Sequence, residues 1–156
     1  MLIPDTEAAL ASDGAARALQ YRLDGSAGHL LRRALQRHQS LFQDCAAGIG
    51  LTAPQFAVLT KLAELGRATQ NRLGRLVAMD PATTQGVMKR LALRHLLRTE
   101  KDPMDRRTSV LAITPEGVAL VEKARTAGMR ANQILMQELD AAEQTALLAL
   151  LRRLTD

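Results

Sequence analysis

Aromatic residues are nearly absent from this chain of 156 residues: Tyr21, Phe42 and Phe56 are the only three, and tryptophan is missing. A core cannot be built on stacked rings and must come from Leu, Ala, Val and Met, mostly strong helix formers. Cysteine occurs once, as Cys45, which excludes an intramolecular disulfide and a thiolate metal cluster. No apolar run approaches the about 18 residues of a membrane span. The opening stretch, Met1 to Gly14, carries acids and no basic cluster, so it does not read as a secretory signal. Glycine-rich phosphate loops, a nucleophile elbow and HExxH are all lacking. The three histidines, His29, His38 and His95, share no spacing that suits one metal ion. Catalysis, a metal site and a bound cofactor are therefore not expected. The chain reads as a single-domain, cytoplasmic protein of bacterial type.

What is present is positive charge in one place. The net charge is +5, yet residues 67–107 hold ten Lys or Arg (Arg67, Arg72, Arg75, Lys89, Arg90, Arg94, Arg98, Lys101, Arg106, Arg107) against Asp80, Glu100, Asp102 and Asp105. That segment is +6 and the remainder nets −1. An excess confined to the middle third points to a polyanion contacted by that third.

Caps and periodicity divide the chain. Apolar residues from Leu19 to Cys45 recur at a helical spacing, predicting one long helix that ends near Gly48 and Gly50. Thr52-Ala53-Pro54-Gln55 has the form of a capping box, and opens a helix with Phe56, Leu59, Leu62 and Ala63 on one face and Gly66 at its end. Thr69 caps a short helix with Leu73, Leu76 and Val77 inward. Asp80-Pro81 pairs a capping acid with a proline at the first helical position, and the helix that follows runs to about His95, burying Thr84, Val87, Met88 and Leu91. Leu96–Lys101 and Thr108–Ile113 have strand-like content around the turn former Asp102-Pro103-Met104-Asp105, predicting a two-stranded hairpin with a basic tip. Thr114-Pro115-Glu116 starts a helix to about Leu139, and Asp140 caps a last, leucine-rich helix.

Three short helices followed by a hairpin is the order of a winged helix-turn-helix. The expected fold is mainly α with a small β-hairpin: a DNA-binding lobe over residues 51–113, dimerisation helices over 19–50 and 114–156, and an extension over 1–18. The outer helices carry more leucine than this small lobe can cover. A twofold homodimer would bury it and set two recognition helices about one DNA turn apart. On the recognition helix the buried set leaves Ala82, Thr83, Gln85, Gly86, Lys89 and Arg90 outward. Gln85 can read adenine, Ala82 or the Thr83 methyl can meet thymine, and Gly86 permits close approach to the major groove. Lys89 and Arg90 suit phosphates, as do Thr69, Gln70 and Asn71 at the start of the preceding helix. Of the wing pair Arg106 and Arg107, one is expected in the minor groove and the other held by Asp105.

The stretches LTAPQFAVLTKL (from Leu51), TQNRLGRLVAMDPATTQGVMKRL (from Thr69) and DPMDRRTSVLAITPEG (from Asp102) resemble the MarR family of bacterial transcription regulators. The wing carries that family's D-x-R-x-x-x-L-x-[LI]-T pattern as Asp105, Arg107, Leu111, Ile113 and Thr114, and the likeness covers about residues 20–154. The resemblance implies a homodimer, usually a repressor, that leaves a pseudo-palindromic operator when a small molecule binds. It implies that Arg107 pairs with Asp105 to brace the wing, with Arg106 nearer the tip. It also marks a departure: His95 stands where members commonly have the glycine that closes the recognition helix, so a tighter or differently closed helix end is expected.

The segment GHLLRRALQRH, Gly28 to His38, is similar to regulators of aromatic-acid catabolism. In such proteins a ligand sits between the dimerisation helices and the DNA-binding lobe. Tyr21, His29, Arg32, Arg33 and Gln36 are the candidate effector residues, and the implied effector is a small anionic aromatic or heteroaromatic carboxylate, or its coenzyme A thioester. His29 and Arg33 lie four apart on one helix face, and arginine clamps a carboxylate bidentately. The bland alternative is a solvated charge run. Two other readings compete: redox sensing through Cys45, opposed by its apolar register and by the neighbouring Asp44, and a helical interaction module that does not bind DNA. The outward basic layout argues against the second.

Overall fold

The structure is a computed structural model that describes residues 22–155. A single 3-10 turn, Leu23–Gly25, precedes helix α1, Ala27–Cys45. Within the described residues the first long helix therefore starts at Ala27, later than the periodicity from Leu19 predicts. Asp24-Gly25-Ser26 are turn formers. The Ser26 hydroxyl donates to the Leu23 carbonyl at 2.8 Å, and the Ser26 carbonyl accepts the first helical amide, from Leu30, at 3.0 Å. Then follow α2 (Ala53–Leu65), β1 (Arg67–Ala68), α3 (Gln70–Leu76), α4 (Pro81–Leu93), β2 (Leu97–Lys101), β3 (Ser109–Ile113), α5 (Pro115–Met136) and α6 (Ala141–Thr155). Among the described residues no helix is long and apolar enough to cross a membrane.

The chain divides into two units, Met1–Arg37 and His38–Asp156. In the described part of the first, Leu23, Leu30, Leu31 and Leu35 are all exposed. The second holds the core. Phe42, Leu51, Val58, Leu59, Leu62, Leu73 and Leu91 are fully buried there, each worth on the order of 2 kcal/mol in apolar area removed from water. The rings of Phe42 and Phe56 stack with centroids 5.1 Å apart. Ala63 and Leu76, expected inward, are exposed; Val58 takes the inward place beside Leu59 and Leu62 on α2.

Helix starts follow local chemistry. The Thr52 hydroxyl accepts the Gln55 amide while the Gln55 side chain accepts the Thr52 amide, closing the capping box. Thr69, Asp80 and Thr114 accept amides three residues on, and Asp140 does the same for Glu143 at the start of α6. α5 ends at Met136 instead of Leu139.

The hairpin is part of a three-stranded antiparallel sheet of order β1-β3-β2. Ala68 lies opposite Leu111 and Thr99 opposite Leu111 from the other side. As the central strand, β3 buries Val110, Leu111 and Ala112 in succession. Gly117, in the first turn of α5, packs so closely under the sheet that a Cβ there would lie 2.2 Å from the Leu96 carbonyl oxygen. The Thr114 hydroxyl accepts the Gly117 amide at 3.1 Å and donates to the His95 carbonyl at 2.8 Å.

Both ends of the helix-turn-helix close through left-handed residues that are not glycine. After α3, Ala78 has φ +53°, with the Met79 amide on Gly74 and the Ala78 amide on Arg75. After α4, His95 has φ +56°, with the Leu96 amide on Leu91 and the His95 amide on Ala92. This is the Schellman pattern. The missing glycine does not change how the recognition helix closes, which corrects the expectation from His95. Histidine is among the side chains that tolerate this region best, and burial of Leu96 against Leu91 holds the turn.

Candidate nucleic-acid interface and effector cavity

The geometry of α4 starts at its cap. Asp80 Oδ1 accepts the Thr83 amide at 2.9 Å, and Oδ2 accepts the Thr83 hydroxyl at 2.5 Å. These bonds, the hydroxyl's first, hold the Asp80 carboxyl below its ordinary value of 3.8, so a carboxylate faces the positive end of the helix dipole. The Thr83 hydroxyl is spent on the cap, leaving its methyl as the free part of that side chain. Thr84, Val87, Met88 and Leu91 are buried, as the spacing predicts. Ala82, Thr83, Gln85, Lys89 and Arg90 are exposed and Gly86 is half-buried. The Arg90 guanidinium folds back towards Gly86, its Nη1 3.6 Å from where a Cβ would stand.

α3 meets α4 tightly, because a Cβ on Gly74 would lie 2.8 Å from Thr84 Oγ1. Beside this crossing a cleft is lined by Gln70, Asn71, Arg75 and Pro81, so two of the residues expected at backbone phosphates, Gln70 and Asn71, share one concavity with Arg75, while Thr69, Lys89 and Arg90 do not line it. The Thr69 hydroxyl accepts the Arg72 amide at 3.3 Å and is a cap first.

At the wing tip Asp105, Arg106 and Arg107 are all exposed. Asp105 Oδ1 accepts the Arg107 amide at 3.0 Å and Oδ2 accepts the Thr108 hydroxyl at 2.8 Å. The brace thus runs through the Arg107 main chain and Thr108, where the family pattern implied an ion pair. The same two bonds, the amide's first, lower the Asp105 pKa from 3.8. Two of the ten central cations are engaged elsewhere: Arg98 Nε pairs with Glu100 at 2.6 Å, and Arg94 Nη1 donates to the Gly50 carbonyl. Among the described residues Arg72, Arg75, Lys89, Arg90, Arg106 and Arg107 have no acidic partner within 4.0 Å. Unneutralised arginines and lysines are what a phosphate backbone binds.

Of the expected effector residues, Tyr21 lies outside the described residues. His29 is half-buried, its Nε2 3.6 Å from Asp24 Oδ1, while Arg32, Arg33 and Gln36 are exposed. Cys45 is half-buried against the core.

A cavity of about 260 Å³ opens elsewhere, lined by His38 and Phe42 from α1, by Ala53, Phe56, Ala57, Thr60, Lys61 and Glu64 from α2, and by Gly128 and Asn132 from α5. Sequence reading did not find it. Its only linear traces are two of the three aromatics and a glycine inside a helix. Gly128 is required by Phe56, whose Cε1 would sit 2.8 Å from a Cβ there. Lys61 is tied to Glu64 at 2.5 Å. The Thr60 hydroxyl is buried without a hydrogen-bond partner.

Comparison with known proteins places this geometry. The family model described as "MarR family" matches residues 51–109, which is the helix-turn-helix and most of the wing. The HTH-type transcriptional repressor NicR of Pseudomonas putida is 37% identical over 136 residues, covering 87% of this chain and 86% of that protein. A solved structure of Bordetella bronchiseptica BpsR, concerned with regulation of its DNA binding by 6-hydroxynicotinic acid, superposes with a TM-score of 0.80 at 40% identity over 87% of this chain and 97% of that one. The PcaV transcriptional regulator of Streptomyces coelicolor, solved with its natural ligand, gives 0.77 at 34% identity over 87% and 96%. With its winged helix, its braced wing and these relatives, the chain belongs to the MarR family.

Proposed function

We propose that the protein is a homodimeric transcriptional repressor, bound to a pseudo-palindromic double-stranded operator and released from it by a small aromatic or heteroaromatic carboxylate. The observation that carries this reading is the outward face of α4. Ala82, Gln85 and Lys89 are exposed at helical spacing, above a fully buried opposite face and beside a wing whose arginines have no acidic partner. Gln85 with the Thr83 methyl reads bases; Lys89, Arg90, Thr69, Gln70 and Asn71 position the backbone; Arg106 enters the minor groove, with Arg107 behind it.

Exposed leucines support the homodimer. Leu30, Leu31 and Leu35 on α1, and Leu148, Leu150 and Leu154 on α6, lie open in the single chain. α6 buries no residue at all, and such surfaces are covered in a stable assembly. Residues 19–50 and 114–156 serve as its dimerisation helices.

The effector reading rests on the cavity and on BpsR, whose DNA binding is regulated by 6-hydroxynicotinic acid. A volume of about 260 Å³ lies below the usual range for drug-sized ligands. It suits a single-ring acid better than a coenzyme A thioester. Within the lining His38 offers a ring nitrogen, while Lys61 is already paired with Glu64. Tyr21, His29, Arg32, Arg33 and Gln36 remain the effector residues proposed from the sequence; Arg32, Arg33 and Gln36 are exposed in the single chain, and a second copy covering them would desolvate the carboxylate they bind.

An electrophoretic shift with the DNA upstream of the protein's own gene, with and without a panel of aromatic carboxylates, tests the proposal. A specific shift reversed by one acid is expected, and replacing His29 and Arg33 together should keep the shift and abolish the reversal. A shift that no acid reverses overturns the effector class and leaves DNA binding standing.

A further inference from the structure

Of the large apolar side chains exposed among the described residues, Met104 is the most open, at 95%. Single exposed apolar residues are ordinary on a protein surface, so its place in the fold decides what it means. Met104 stands in the turn that joins β2 to β3, two residues before Arg106.

The turn uses its amide and not its side chain. Asp102 Oδ1 accepts the Met104 amide at 2.9 Å, and the Thr108 carbonyl accepts the Asp102 amide at 2.9 Å. Asp105 takes the Arg107 amide and the Thr108 hydroxyl on its carboxylate, and the Thr108 amide on its carbonyl. Both acids of the tip are thus spent on fixing its backbone. Turn positions are filled for backbone chemistry that methionine does not supply. What the fixed turn presents is an unbranched apolar side chain, followed by two exposed arginines that have no acidic partner.

A DNA minor groove is the surface that such a tip fits. Its negative potential draws arginine, and apolar side chains, methionine among them, wedge against its base steps. In that groove the guanine amino group is what separates G·C from A·T. An apolar side chain pressed there leaves one more polar group unpaired at G·C than at A·T, and the amino group also stands in its way.

We propose that Met104 is a specificity-determining residue of the wing: its side chain seats in the minor groove and selects A·T over G·C pairs at the outer edges of the operator. The inference rests on the operator reading above and deepens it. Arg106 supplies charge there, and Met104 supplies a contact that releases no counterions.

Fluorescence anisotropy tests this on the duplex that the protein footprints upstream of its own gene, with the outermost pairs of the footprint made A·T, G·C or inosine–cytosine. The last pair lacks the guanine amino group. Wild type should bind the A·T and inosine duplexes alike and the G·C duplex about tenfold more weakly. Met104→Ala should bind the A·T duplex about tenfold more weakly than wild type, lose most of the discrimination, and keep the salt slope of wild type. Met104→Leu should retain both affinity and discrimination. All three proteins should melt together, since the side chain is open to water. Undiminished affinity or discrimination in M104A, a reduced salt slope, or a lower melting temperature in M104A overturns the role of Met104. A wild type that prefers no such duplex to unrelated DNA is a separate result, which overturns the operator reading and this inference with it.

Discussion

Arg94 Nη1 donates to the carbonyl oxygen of Gly50 at 2.6 Å, joining the residue that follows the recognition helix to the loop that precedes α2. Arg94 is exposed, so the bond competes with water and its net worth is modest, about 0.5–1 kcal/mol. Arg94→Ala is expected to lower the urea unfolding free energy by no more than about 1 kcal/mol. Operator affinity, read by fluorescence anisotropy, should fall further than that loss predicts, because the helix end is no longer held. Equal losses in both measurements would mean that Arg94 only stabilises the fold.

Left-handed backbone at His95 is paid for by every molecule of the protein. His95→Gly relieves a cost of about 1 kcal/mol, and the exposed imidazole gives up little packing. The variant should melt higher, and Ala78→Gly should do likewise after α3. Calorimetric melting of both checks this; a lower Tm in H95G would show that the imidazole makes a contact worth more than the strain.

Gly86 and Gly74 make opposite predictions. A Cβ on Gly86 meets only the Arg90 guanidinium at 3.6 Å, so Gly86→Ala should stabilise the free protein by up to about 1 kcal/mol through helix propensity. Its operator affinity should drop if the helix seats closely in the groove. Gly74→Ala puts a methyl 2.8 Å from Thr84 Oγ1 and should cost about 1–3 kcal/mol. Urea melts paired with anisotropy separate the two effects.

Asp105 predicts an acid limit for the wing. Its carboxylate is stabilised by the Arg107 amide and then by the Thr108 hydroxyl, so its folded pKa lies below 3.8. The contribution is fully present above the unfolded value and is lost as pH falls through the lower, folded one. The Arg107 amide resonance should therefore titrate with a midpoint below 3.8 and stay flat near neutrality. A midpoint at or above that value would mean the brace is not formed in solution.

Arg106, at the wing tip without an acidic partner, should act through phosphate or minor-groove charge. Arg106→Ala is expected to weaken operator binding and to reduce the slope of log affinity against log salt by about 1. An unchanged slope would remove Arg106 from the interface.

Features set by a few adjacent side chains were legible in the sequence. Thr52, Thr69, Asp80, Thr114 and Asp140 announce helix starts because a cap needs only its own next three residues. The buried face of α4 followed from spacing alone. What needed distant residues to converge was not legible. β1 is two residues long and exists only through pairing with β3, so it has no alternation to read. Leu76 looks inward by period and is exposed, because nothing in the single chain lies over it. The cavity draws on three helices spread from His38 to Asn132; its residues are unremarkable one by one, and Thr60 is distinguished only by a bond it does not make.

The Thr114 hydroxyl, held between the Gly117 amide and the His95 carbonyl, gives the protein a lever. α4 has 13 residues and is thus about 20 Å long at 1.5 Å per residue. Its far end is fastened at His95 to the first turn of α5. A tilt of about 10° at that fastening carries the Pro81 end through about 3.5 Å, close to the 3.4 Å that separates successive base pairs. Such a tilt moves Ala82 and Gln85, the side chains proposed to read bases, by most of one base-pair step.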